Sequence, residues 1–136
     1  MPERPGAPFT AFIGALVDEM SEGYGRLTLA TGPQHADASG HVHTGVLTSV
    51  MDSVIGIALG RLRGEEARRT QGAHATIEMS TSFYSQAVPG DELIFEGQVV
   101  RLAGRVAFGE VETRRAGDGV PIARARLTFA VPGSRV

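Results

Sequence analysis

The stretch from Thr44 to Arg63 constrains this chain more than any other, because its apolar residues recur at helical spacing. Val46, Leu47, Val50, Met51, Val54, Ile55, Ala58, Leu59 and Leu62 follow i, i+3, i+4, i+7, and Ile57 adds apolar surface beside them. A helix apolar around most of its girth has to be covered, so the rest of the chain must fold over it. The remaining stripe, Gly45, Thr48, Ser49, Asp52, Gly56 and Gly60, is narrow and small, which lets another backbone come close. Asp52 is the only ionisable residue between Thr44 and Gly60.

The flanks read differently. After a loose, Pro-rich lead over 1–8, residues 8–20 place Phe9, Phe12, Ile13, Leu16, Val17 and Met20 at helical spacing and predict an amphipathic helix. Leu27 and Leu29 alternate with polar residues and predict a strand over 24–30. Residues 31–42 are turn formers and polar groups, a loop long enough to suggest function. Residues 60–72 read as a charged surface loop. Four strand-like runs follow, at 73–84, 91–103, 105–115 and 120–131, punctuated by Pro89-Gly90-Asp91, Ala103-Gly104 and Ala116-Gly117-Asp118-Gly119. Helix, strand, long helix and four strands in a meander describe an α+β fold. It is read as a single domain over 1–136, with an antiparallel sheet wrapped around one long central helix.

Composition narrows the function. The net charge of −2 offers no basic field for nucleic acid. All 13 basic residues other than histidine are arginine, which reads as genome composition. The absence of cysteine excludes disulfides, zinc–thiolate sites and a Cys nucleophile. No cationic segment precedes a long apolar run at the N-terminus, and no apolar run is read as reaching the ~18–20 residues of a membrane span. The expectation is a cytoplasmic protein with no membrane partner.

A carboxylate in the middle of a buried helix loses hydration, which disfavours its charged form. Such a group is kept when it is paired, here by an Arg from the sheet, or when it is used as a base or nucleophile. His43 and Gly45 stand where the helix begins. The N–H groups at a helix start are unpaired and lie at the positive end of the dipole, so they can polarise a carbonyl and stabilise an oxyanion. Thr44 and Asp52 are separated by about 12 Å of helical rise, too far to serve one carbonyl. A dimer, with donors from one chain and the carboxylate from the other, resolves this.

The segment Asp37-Ala-Ser-Gly40-His-Val-His43-Thr44-Gly45, followed by six residues and Asp52, resembles the Asn-x-x-Gly-x-x-His-Gly-Gly-(x)6-Asp signature of hotdog thioesterases. It is closest to the PaaI-like branch, related to the 4-hydroxybenzoyl-CoA thioesterases. The runs Ala75–Phe83, Ala87–Asp91 and Arg101–Phe108 are similar to that family too. The resemblance implies a hotdog domain in a homodimer, paired into a homotetramer, that hydrolyses an aryl- or medium-chain acyl-CoA to the free acid and CoA. It implies Asp52 as general base or nucleophile and the Thr44 N–H polarising the thioester carbonyl. It also implies that His43 orients the loop, that Asp37 holds the water or the loop, and that a Thr76 hydroxyl assists. CoA belongs to the substrate, and no metal or redox cofactor is implied. Gly45, Arg101 and Arg105 are candidate CoA contacts, although a solvated turn accounts for the two arginines equally well.

Two departures stand out. Asp37 replaces Asn and sets a second carboxylate near Asp52, and Thr44 replaces Gly, adding a Cβ at the pocket floor. They keep open a non-catalytic acyl-CoA-binding module; a hotdog hydratase and a purely structural oligomer are further alternatives. His35 and His41 read as solvent-facing and His74 as a strand start without special contacts; together with His43 they lack the spacing of a metal site. Phe9, Phe12 and Leu16 read as core packing or as the acyl pocket.

Overall fold

The structure, a computed structural model, describes residues 5–133; of the N-terminal lead, residues 1–4 lie outside the described residues. Helix α1 (Pro8–Ile13) has a proline in its first turn, where a missing N–H is harmless, and stops at Gly14 with φ 101°. The helix expected over 8–20 is therefore cut short. Leu16–Ser21 is strand β1, hairpin-paired with β2 (Tyr24–Ala30). The apolar residues fit either period, and pairing of the backbone with β2 decides. A register shift at Asp18 turns both Asp18 and Glu19 towards Arg26, at 2.7 and 3.3 Å.

Helix α2 (Thr44–Arg63) follows the Thr44–Arg63 apolar pattern. Beyond Gly64, the segment expected as a loop forms α3 (Glu65–Gln71). Glu65 and Glu66 occupy its first turn and Arg68 and Arg69 its last, the arrangement that complements a helix dipole. Then come β3 (Ala75–Phe83), β4 (Glu92–Ala103), β5 (Val106–Arg115) and β6 (Pro121–Ala130).

The six strands among the described residues form one antiparallel sheet in the order β1-β2-β4-β5-β6-β3. The expected four-strand meander holds only for β4-β5-β6, since β3 pairs with β6 at the far edge. Pro89-Gly90-Asp91 looks like a hairpin turn but ends an eight-residue connection, 84–91, of up to about 27 Å. That is ample to pass β6 and β5, about 14 Å of sheet. An edge place suits β3, which is exposed along most of its length, with Ile77 62% exposed.

Leu47, Val50, Met51, Val54, Ile55, Ala58 and Leu59 of α2 are buried with Leu27, Leu29, Leu93, Phe95, Val111, Ile122 and Leu127 of the sheet. Contrary to the reading above, this helix is long and apolar enough by length and composition to cross a membrane. In this fold its apolar stripe is the core instead. Ile55 wedges between two sheet glycines. A Cβ on Gly109 would meet Ile55 Cγ2 at 2.6 Å, and one on Gly97 would meet Ile55 Cδ1 at 3.0 Å.

Candidate active site

Asp52 lies just past the second turn of α2, half-buried rather than fully enclosed. Thr76 Oγ1, at the start of β3, donates to Asp52 Oδ1 at 2.6 Å. Among the described residues no arginine, and no group besides Thr76, pairs with this carboxylate. It borders a cleft of about 600 Å³ between α1, α2, α3 and the start of β3. Thr10 Oγ1 and Ser53 Oγ, 2.7 Å apart, tie α1 to α2 along its wall.

A second cleft, of about 270 Å³, opens at the other end of β3 and shares no residue with the first. It contains Thr44, Asp37, His41, Leu47, Phe83 and Tyr84. His43 is the N-cap of α2 (φ −60°, ψ 135°), and its Nδ1 accepts the Gly45 N–H at 2.8 Å. That leaves the hydrogen of a neutral ring on Nε2. Gly45 has to be small for this, since a Cβ there would lie 2.9 Å from His43 Nδ1. The Thr44 N–H has no protein acceptor among the described residues, and no non-glycine residue among them has positive φ, so its Cβ brings no backbone strain.

Asp37 is turned to its own loop. Its Oδ1 accepts from Ser39 N–H and Oγ, each at 2.9 Å, and from His41 N–H at 3.1 Å. The Ser39 hydroxyl, then the His41 N–H, hold this carboxyl below its ordinary pKa. Within one chain the structure brings Asp52 and Thr76 together, and it groups Thr44 with Asp37, with His43 and Gly45 beside them. It does not bring the two groups together. Arg101 and Arg105 are exposed near the β4–β5 turn and border neither cleft.

Two histidines depart from expectation. His35 is buried: its Nδ1 accepts the Gly32 N–H, so Nε2–H donates to the Ile13 carbonyl at 2.7 Å, fastening α1 to the loop. His74 is half-buried, accepting from Arg63 and donating through Nε2 to the Gly56 carbonyl at 2.8 Å, edge-on to Phe129. Burial pushes its pKa down, with Arg63 and Arg68 adding repulsion. Phe9 and Phe12 are exposed on α1, Phe12 at 86%, so neither packs in the core. Sequence reasoning missed that Arg61, Arg68 and His74 border the Asp52 cleft. The available signal was four arginines against two glutamates over 61–69.

Residues 39–122 match the family described as the thioesterase superfamily. A curated relative from Archaeoglobus fulgidus bearing the name "Putative esterase" is 24% identical over 106 residues, 78% of this chain; the chain spans only 64% of that relative. Among solved structures, AziG of S. sahachiroi superposes with a TM-score of 0.83 at 21% identity, covering 93% of this chain and 97% of that one. A hypothetical thioesterase protein with coenzyme A, from Streptococcus pneumoniae, gives 0.80 at 20%, covering 94% and 93%. A mutant of the phenylacetic acid degradation protein PaaI from Thermus thermophilus gives 0.78 at 21%, covering 92% and 99%. At these identities the structural likeness is one of fold, the hotdog fold, whereas the family match spans more than half of the sequence. The chain belongs to the thioesterase superfamily.

Proposed function

We propose that the protein hydrolyses acyl-CoA thioesters, with Asp52 as the base or nucleophile. The observation that carries this reading is the Asp52 carboxylate, held by Thr76 at 2.6 Å in an open cleft with no cation to neutralise it among the described residues. A base needs an oxyanion donor, and the unpaired Thr44 N–H is about 12 Å away along the same helix. β3 supplies the geometry. Its exposed edge can pair antiparallel with β3 of a second copy about a two-fold axis near Met79 and Ser80. Residue 76 of one chain then lies opposite residue 83 of the other. The Asp52 cleft of one protomer so meets the partner's Thr44 cleft, which Phe83 and Tyr84 border. A dimer makes two sites, and pairing of dimers into a tetramer fits the same reading.

In such a site the Thr44 N–H polarises the thioester carbonyl. Asp52 takes a proton from water as the water oxygen bonds to the carbonyl carbon. The oxyanion is held at the positive end of α2, the C–S bond breaks, and the proton passes to the departing CoA sulfur. Direct attack by Asp52, followed by hydrolysis of the anhydride, has the same balance. His43 fixes the first turn through Gly45 and presents Nε2–H towards the substrate. Asp37 holds the loop in place, as its three acceptor bonds support. Arg101 and Arg105, exposed near the β4–β5 turn, contact the nucleotide end of CoA outside the clefts. No metal or redox cofactor takes part.

The test is steady-state hydrolysis of phenylacetyl-, benzoyl- and medium-chain acyl-CoA by wild type and Asp52→Asn. Loss of the base should lower kcat on the order of 10²–10⁴-fold. Equal rates would overturn the assignment, and binding without turnover by wild type would favour the non-catalytic module.

A further inference from the structure

The Asp52 cleft has a far end that hydrolysis itself does not use. From Asp52 it follows α2 past Gly56 and Gly60 to Arg61, with Arg68 of α3 opposite. Arg68 lies across the helix at Gly60, where an added Cβ would be 3.6 Å from Arg68 Cδ and 3.6 Å from His74 Cε1, in ordinary contact. Neither Arg61 nor Arg68 has an acidic partner among the described residues, although Glu65 and Glu66 begin the same short helix as Arg68. By contrast, Arg26, Arg114, Arg115 and Arg124 are all held in ion pairs on the sheet. Behind the cleft wall stands Arg63, whose Nη2 is buried without a hydrogen-bond partner and whose Nη1 meets His74. Burial, and then repulsion from Arg68, lowers its pKa.

A pair of guanidinium groups without acidic partners among the described residues, at the end of a cleft whose wall between them and Asp52 is the small and apolar Gly56, Ile57 and Gly60, suits an oxyanion. We propose that Arg61 and Arg68 form an anion-binding end of the Asp52 cleft, gripping an anionic oxygen group of the substrate remote from the thioester. Asp52 and Arg61 are about 13 Å apart along the helix, a distance that a medium-length acyl chain spans. The group is a second carboxylate on the acyl chain or a phosphate of the thiol carrier. The inference rests on the thioesterase reading and adds selectivity to it.

The experiment compares octanoyl and octanedioyl thioesters, each carried on CoA and on N-acetylcysteamine, which has no phosphate. Wild type, Arg61→Gln, Arg68→Gln and the double variant are assayed, with thermal melting as the folding control. The expected result is that one selectivity ratio in kcat/KM falls on the order of tenfold or more in the double variant. If the octanedioyl-to-octanoyl ratio falls on both carriers, the anion is the acyl carboxylate. If the CoA-to-N-acetylcysteamine ratio falls for both acyl groups, it is a carrier phosphate. Neither ratio changing in a folded double variant overturns the proposal. If wild type hydrolyses no thioester, the hydrolytic reading fails by itself. Calorimetric binding of octanedioate and of CoA to wild type and the double variant then decides the anion site, and equal affinities in both proteins refute it.

Discussion

Thr44→Pro isolates a single backbone hydrogen. Thr44 is the first residue of α2, the helical position at which proline is favoured, since an N–H there has no intrahelical acceptor. The residue before a proline must be extended, and His43 already is, at φ −60° and ψ 135°. The Thr44 N–H bonds no protein acceptor among the described residues, so its loss breaks nothing in the fold. Stability should therefore stay within about 1 kcal/mol of wild type. If this N–H polarises the thioester carbonyl, kcat should fall on the order of 10²–10³-fold, about 3–4 kcal/mol. Thr44→Ala deletes the side chain but keeps the N–H, and the proline variant should fall at least tenfold below it. The assay is thiol release from acyl-CoA, alongside urea denaturation. Mixing then tests the shared site. Thr44→Pro and Asp52→Asn are each defective, but a hybrid dimer has one intact centre, so full subunit exchange should restore about a quarter of wild-type activity. A Thr44→Pro protein as active as Thr44→Ala would refute the donor role, and mixtures that stay inactive despite exchange would refute the two-chain site.

Thr76→Ala should lower kcat/KM about tenfold or more through loss of the hydroxyl bond to Asp52, while Thr76→Ser retains most activity; a serine variant as poor as alanine would point to packing instead. Gly109→Ala should destabilise by about 1–3 kcal/mol through collision with Ile55 Cγ2, and Ile55→Ala by about 2–5 kcal/mol. In urea denaturation the double variant should lose at least ~1 kcal/mol less than the sum, because removing the wedge makes room for the new methyl. Burial depresses the His74 pKa below its ordinary value near 6.5, so as pH falls the unfolded chain takes up the proton first. This part of the stability is present above about pH 6.5, is lost as pH drops through the window below it, and levels off beneath the folded pKa. Melting temperatures between about pH 7.5 and 5 should fall more steeply for wild type than for His74→Gln, whose amide can still donate to the Gly56 carbonyl.

Local chemistry made much of this fold legible. The α2 stripe, the strand alternation and the Gly-marked turns are short-range signals, and the Asp37–Asp52 spacing resembles a family pattern. What the sequence concealed was settled by partners distant in the chain. Residues 16–21 join a sheet because β2 offers backbone partners, although their apolar spacing suits a helix. β3 reaches the far edge because β6 pairs with it across an interval that no local turn encodes. His35 reads as a loop histidine until Ile13 and Gly32 are brought around it. Arg61 and Arg68 looked like a solvated charge run because α3, which sets Arg68 across the cleft from Arg61 at the end of α2, reads as a loop.

Ile55 between Gly97 and Gly109 acts as a depth stop for the central helix. One turn separates it from Asp52, so the same seat that closes the core also sets how far the carboxylate stands from the Thr76 hydroxyl on another strand. The Asp52–Thr76 geometry and core packing are thereby mechanically coupled. The cleft can be reshaped by changing side chains along it, but hardly by sliding the helix, because any shift drives the Ile55 methyl groups into backbone. On the proposed reading, the scaffold is stiff where the base is held and permissive along the wall that would meet the acyl group.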